Sequence, residues 1–302
     1  MKMRRFKLMS VVCASLWLAS CAENSGNNYW ENEHTATVVT TRMASFDGQG
    51  QTLDGENDVT DMQACLFEGG VMTQVYKNLQ LSDDGYQLQL NNHTGNLYML
   101  ANIAGAVDLE KLQAEGISET EWLKTIYRAD NSGKTRSIFT GMLVLDDSKP
   151  GDAARVLTLK RGVARFDLVV NVAGDVKLHA FTLTNVAQSA YLFPQSDGVK
   201  SPATVSRRDT TQTFPTPLTH DHAGMLYVCE QKNDNMEIMI KAVFDGGEMK
   251  TLTKKLDGDL IRNAIYTVTV SKEHIDVVVK PVFEDWETGG NIELVPTSRA
   301  RD

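Results

Sequence analysis

A chain of 302 residues that is 42% hydrophobic has the length for two domains of ordinary size and the apolar residues to fill a core in each. Its formal net charge is -9, and four of its basic residues, Lys2, Arg4, Arg5 and Lys7, sit at the extreme N terminus, so the rest of the chain is more acidic still. That balance argues against a nucleic-acid partner, which needs basic patches able to displace counterions.

The N-terminal stretch reads as an export signal. MKMRRFK is a basic opening, and Leu8 to Leu18 is an apolar run too short to span a bilayer comfortably. Leu18-Ala19-Ser20-Cys21 follows and resembles the lipobox of bacterial lipoproteins. Cleavage is expected between Ser20 and Cys21, with the Cys21 thiol taking the diacylglycerol. The acyl chains then form a stable membrane anchor. The next residue is Ala22 and not Asp, which by the enterobacterial sorting pattern implies delivery to the outer membrane. Residues 1–20 are therefore read as a signal peptide and 21–34 as a lipidated tether, polar and without periodicity.

From residue 34 the chain reads as strands. His34 to Phe46 is rich in Thr and Val, and Arg42 lies at its end. GQGQTLDGEND, residues 48–58, is a loop by composition. Gln63 to Val75 is a strand. Tyr86 to Leu90 alternates cleanly, and after NNHTGN the segment LYMLANIAG returns as a second strand buried on both faces, making a hairpin. Asp108 to Ala129 is the helical region. Ser118 and Glu121 have capping-box spacing, and Trp122, Leu123 and Ile126 form its apolar stripe, packed across the end of a sandwich. Phe139 to Leu145 is another strand.

Val156 to Val172 is the longest strand-like run. Leu157 and Leu159 share one parity; after Gly162 the apolar set shifts to Ala164, Phe166, Leu168, Val170 and Val172. A one-residue slip of this kind predicts a bulge at Arg161-Gly162 in one long strand that closes the first domain. Asn171 to Asp175 is then the boundary, giving domains 35–173 and 174–302. In the second, Val176 to Leu183, Met225 to Glu230, Met236 to Phe244, Met249 to Leu256, Ala264 to Val270 and Ile275 to Phe283 read as strands. DGGE joins two of them as a hairpin, and Tyr191 to Pro217 is rich in proline and read as loop. The fold expected is all-β, two tandem β-sandwiches with one short helical segment.

Catalytic chemistry is not evident. The sequence has no nucleophile elbow, no phosphate loop, no Cys-x-x-Cys and no His-Glu-x-x-His. His220 and His222 flank Asp221, a spacing that puts both rings on one side of a strand, but no third ligand is evident and a solvated loop is the better reading. No metal, no cofactor and no enzyme activity is expected. Cys65 and Cys229 each lie in apolar runs; they could pair in an oxidising compartment, though nothing brackets them as a disulfide framework and two buried thiols fit better. Asp209-Thr210-Thr211 resembles a short O-glycosylation motif and is read as a plain turn.

KRGVARFDL at 160–168, IRNAIYTVTV at 261–270 and the later Asp285-Trp286 with Gly289-Gly290 resemble the Bacteroidales fimbrillin family of lipoprotein pilins, nearest its shorter anchor and accessory subunits. The resemblance implies two transthyretin-like sandwiches, a fimbrial subunit of the cell outer membrane active in adhesion, and assembly with other subunits by β-strand exchange. It also implies that Arg165, Asp167, Arg262 and Asn263 hold the fold. In family members that polymerise, a protease cuts after an Arg near the first strand, here Arg42 ahead of Met43; the alternative is a surface Arg at a strand end. The donor strand expected is Ile275 to Val295. The competing function is a surface glycan-binding lipoprotein, whose aromatic platform would have to come from Trp30, Trp122 or Trp286.

Overall fold

In the computed structural model of the chain, the residues described are 37–45, 51–79, 81–82, 85–90, 94–128, 138–146, 155–196, 198 and 200–279. The first part gives strands β1 (Thr37–Met43), β2 (Met62–Glu68), β3 (Val71–Tyr76), β4 (Leu81–Ser82), β5 (Gly85–Leu90) and β6 (Gly95–Ala101). Helices α1 (Leu109–Ala114) and α2 (Glu119–Leu123) come next, then β7 (Ile126–Arg128), β8 (Phe139–Leu145) and β9 (Arg155–Arg161). The second part gives β10 (Val163–Val170), β11 (Val176–Ala187), β12 (Ser189–Tyr191), β13 (Arg207–Leu218) and β14 (His222–Cys229). It ends with β15 (Glu237–Phe244), β16 (Met249–Lys255), β17 (Ile265–Val270) and β18 (Ile275–Val279). The fold is all-β, as expected.

The first sheet runs β3-β2-β6-β8-β9-β1-β5-β4. Its β8–β9 junction is only Phe139↔Arg161 and Thr140↔Lys160, so the sheet bends there into two leaves. Gly141 sits at this corner: a Cβ on it would lie 2.5 Å from the Thr158 carbonyl oxygen, so only glycine admits so close a crossing. Val39, Leu88, Leu157 and Leu159 of one leaf pack with Ala64, Leu66, Leu97 and Met99 of the other. The second part is a sandwich of β14-β10-β17-β18 on β13-β11-β15-β16, with Phe166, Leu178, Phe181, Ile240 and Val268 in its core. A third cluster joins the parts. It covers the outer face of β2 and β6 with Trp122, Leu109 and Phe193 and draws in Val163 and Cys229. Facing a core on each side is why β6 is buried at consecutive positions from Leu97 to Ala101.

Several expectations change. The run from 156 to 172 is two strands in different sheets: β9 belongs to the first, and β10 pairs with β14 and β17 in the second. The parity slip at Gly162 is a change of sheet and not a bulge, and the crossing falls ahead of the 173/174 boundary. Gln63 to Val75 is a hairpin, turned at Gly69 and Gly70 with φ of 59° and 80°, the left-handed pair of a type I′ turn. β5 and β6 do not pair with each other; β5 joins β1 and β4, and β6 joins β2 and β8, on opposite leaves. The helical region is two short helices, and Ile126 is exposed on β7. The capping box at Ser118 and Glu121 is present. Part of the proline-rich stretch is β13, an edge strand. Pro215 and Pro217 fall where its ladder with β11 is interrupted, between Leu178↔Leu218 and Ala180↔Thr213, so their missing N–H groups are tolerated. Asp209-Thr210-Thr211 lies on this strand and not in a turn. The β15–β16 hairpin is present, turned at Asp245 and Gly246.

Candidate functional site

The first strand occupies a position that its sequence does not reveal. β1 lies between β9, to which it runs parallel over Val39↔Arg155 to Met43↔Leu159, and β5, to which it runs antiparallel over Thr37↔Leu90 to Thr40↔Gln87. Period two turns Val39 and Thr41 inward, both buried, while Val38 and Arg42 are exposed. Val39 is part of the first core, and Met43 packs against it. Arg42, the expected processing residue, is exposed and donates Nε–H to Thr158 Oγ1 at 2.9 Å. Met43 is half-buried. Removing β1 would therefore open a strand-wide slot, with unpaired main-chain groups on β9 and β5 and an apolar floor.

The two residues that follow β1 and its edge are held by a separate device. Ala44 N–H donates to Leu159 O at 2.8 Å. Arg161, fully buried at the end of β9, donates Nη1–H to the Ala44 carbonyl at 2.8 Å and to Asn263 Oδ1 at 3.1 Å, and Nη2–H to Asn57. Asn263 donates Nδ2–H to the Ser45 carbonyl at 2.7 Å. Its backbone is left-handed, φ 60°, a conformation asparagine tolerates better than other residues with a Cβ. This clamp binds the chain just past the expected cleavage point to both parts of the molecule.

Beside it the loop at 51–58 is pinned to the second sandwich. Arg165 on β10 is 1% exposed and bonds Glu56 at 3.0 Å, Asp167 at 2.8 Å and the Gln51 carbonyl at 2.9 Å. Burial works against its charge, but Asp167 and Glu56 outweigh it and its pKa is raised. Tyr227 donates its hydroxyl to Glu56 at 2.7 Å; burial first, and then Glu56, push that hydroxyl well above the ordinary tyrosine range. Asp167 accepts the Gly224 N–H at 2.8 Å. Arg262 bonds Glu230 at 2.8 Å and the carbonyls of Leu192 and Tyr191. Arg165, Asp167, Arg262 and Asn263 thus hold the fold together. Arg161, Glu56 and Tyr227 belong with them and were missed, Glu56 because it sits in a stretch that reads as solvated loop.

Cys21, with the Ser20–Cys21 bond, lies outside the described residues, as does all of 1–36. Cys65 and Cys229 are buried and form no disulfide; the Cys229 sulfur lies 3.0 Å from the Tyr127 hydroxyl. His220 and His222 are exposed, and Asp221 between them accepts the Val170 N–H at 2.7 Å. Among the described residues no group of His, Cys, Asp or Glu is placed to hold a metal ion, and no helix is long and apolar enough to cross a membrane. Trp122 is fully buried against Phe67, Tyr98 and Phe193 and offers no platform for a sugar; Trp30 and Trp286 lie outside the described residues. Ile275 to Val279, the start of the expected donor, is already in use as β18, paired with β17. The rest of that donor also lies outside the described residues.

No protein-family model matches the chain, and no curated protein matches it. Solved structures do. The tip fimbrial protein of Porphyromonas gingivalis, solved with a C-terminal truncation, superposes with a TM-score of 0.57 at 12% identity, over 82% of this chain and 99% of that one. A fimbrial assembly protein of Parabacteroides distasonis gives 0.54 at 14% identity, over 82% and 96%. A fimbrilin of Porphyromonas gingivalis gives 0.51 at 13% identity, over 82% and 97%. At such identities what is shared is the fold, and it is the fold of Bacteroidales fimbrial proteins.

Proposed function

We propose that the chain is a fimbrial subunit of the outer-membrane surface: a non-enzymatic lipoprotein, anchored through Cys21, that joins a neighbouring subunit by exchange of strand β1 and supports adhesion. The observation that carries this reading is the setting of β1. It is an inner strand of its sheet, flanked by β9 and β5, yet the chain just past it is fastened independently by Arg161 and Asn263. A partner strand can therefore replace β1 without unfastening the rest. The likeness of fold to solved fimbrial proteins supports the same assignment.

Cys21 precedes Arg42 in the chain, so a cut after Arg42 would part the lipid from the sandwiches. A membrane anchor must keep that bond. In this reading β1 is displaced intact, and the tether stays linked through Ala44 and Ser45 in the clamp. An anchor accepts one partner and terminates the polymer.

The test is Arg42→Ala in the native cell, compared with deletion of the protein. An anchor predicts that Arg42→Ala leaves fimbriae attached, while deletion releases them into the medium. Loss of polymer in Arg42→Ala would assign a shaft subunit processed at Arg42-Met43 instead. A monomer under every condition, with measurable affinity for a polysaccharide, would favour the glycan-binding alternative.

A further inference from the structure

We infer that the slot filled by β1 selects a strand carrying a hydroxyl at its middle inward position, between two apolar residues; the inference rests on the strand-exchange reading above. In β1 these places are held by Val39, Thr41 and Met43. Val39 is fully buried and Thr41 is 9% exposed. A threonine is an uncommon choice for an inward position on an apolar floor, because its hydroxyl needs a partner there.

The partner is main chain. The ladder between β1 and β5 runs from Thr37↔Leu90 to Thr40↔Gln87 and stops, while β1 continues along β9 through Thr41↔Leu157 to Met43↔Leu159. The next residue on β5 is Tyr86, which also pairs with Leu81 of β4. Its N–H is half-buried and donates to Thr41 Oγ1 at 3.2 Å. The side chain at this place supplies the acceptor that the ladder no longer provides. A valine has the same shape and fills the same space but leaves the partly buried Tyr86 N–H unmet, and a donor left unmet away from water costs more than a made hydrogen bond gains. A serine keeps the acceptor.

The outward positions discriminate much less. Arg42 reaches Thr158 from an exposed position, where a polar contact competes with water. The slot therefore reads apolar–x–hydroxyl–x–apolar, parallel to β9. Residues 280–302 meet this poorly. Of their hydroxyl residues, Thr288 has Gly290 where Met43 would be, Ser298 has Pro296 where Val39 would be, and Thr297 follows Pro296, where an inner strand must donate, and places Arg299 where Met43 would be. The strand that fits is another subunit's.

The test uses the full-length chain carrying a specific protease site inserted between residues 46 and 50. The cut protein is unfolded and refolded with excess fluorescent peptide of the Thr37–Met43 sequence, or with its Thr41→Ser or Thr41→Val form, and the dissociation constant is measured. Threonine and serine peptides should bind alike, and the valine peptide about tenfold more weakly. A peptide spanning residues 293–299 should not compete. Equal binding of valine and threonine peptides would overturn the hydroxyl requirement and leave strand exchange standing. Failure of every peptide to enter would overturn strand exchange and this inference with it. In the uncut chain, Thr41→Val should speed hydrogen exchange at the Tyr86 amide and Thr41→Ser should not, a readout independent of any peptide.

Discussion

Arg161 and Asn263, far apart in the sequence, meet at 3.1 Å and between them hold two consecutive carbonyls, those of Ala44 and Ser45. Both side chains are fully buried. The pair closes the corner where the chain passes from the first sheet to the second, and it fixes the segment that follows β1.

Asn263→Ala should cost about 3 kcal/mol, since it leaves a guanidinium bond and a carbonyl unmet and places a Cβ residue without asparagine's local bonding in left-handed backbone. Asn263→Gly relieves the backbone and loses the same bonds. The difference between the two urea midpoints, at unchanged slope, separates strain from hydrogen bonding.

Phe166→Asp should unfold the second sandwich, by more than about 4 kcal/mol, because it places a charge in a filled core. Phe166 is stacked on Tyr266 with ring centroids 5.0 Å apart. Hydrogen exchange should show protection lost first in β10 and in the two strands paired with it, β14 and β17. Selective loss in β1, β5 and β9 would refute the sheet assignment of β10.

Alkali should destabilise the chain. Burial raises the pKa of Cys65 from its ordinary 9.0, and burial together with Glu56 raises that of Tyr227 from 10.0. For both acids the unfolded chain releases its proton first. Their contribution is complete below the unfolded pKa values and falls as pH climbs through about 9 and then 10. Urea midpoints should be flat from pH 7 to 8.5 and drop above about 9; Cys65→Ala should remove the first part of that drop.

Cys21→Ser should abolish acylation and leave the precursor uncleaved at Ser20–Cys21. Fractionation should then find the protein detached from the outer membrane, and mass spectrometry of the parent should find the diacylglycerol on Cys21. Normal attachment with cleavage at another position would refute the anchor.

Period-two alternation was enough to read most of the strands, the all-β class and the burial of Phe166 and Leu168, because alternation in the sequence is alternation of faces in any sheet. The capping box at Ser118 was legible for a similar reason: helix ends are satisfied within a few residues. Alternation does not say which strand lies alongside. So the split of the 156–172 run between two sheets, the separation of β5 from β6 and the edge position that admits Pro215 and Pro217 were decided by tertiary pairing alone. The clamp was hidden for the same reason. Glu56 looks like any loop acid until Arg165, more than a hundred residues on, is folded against it at 3.0 Å. Asp167 lies two residues from Arg165 on the same strand, but the other partners of that buried charge, Glu56 and the Gln51 carbonyl, arrive from far along the chain, and local sequence carries no record of them.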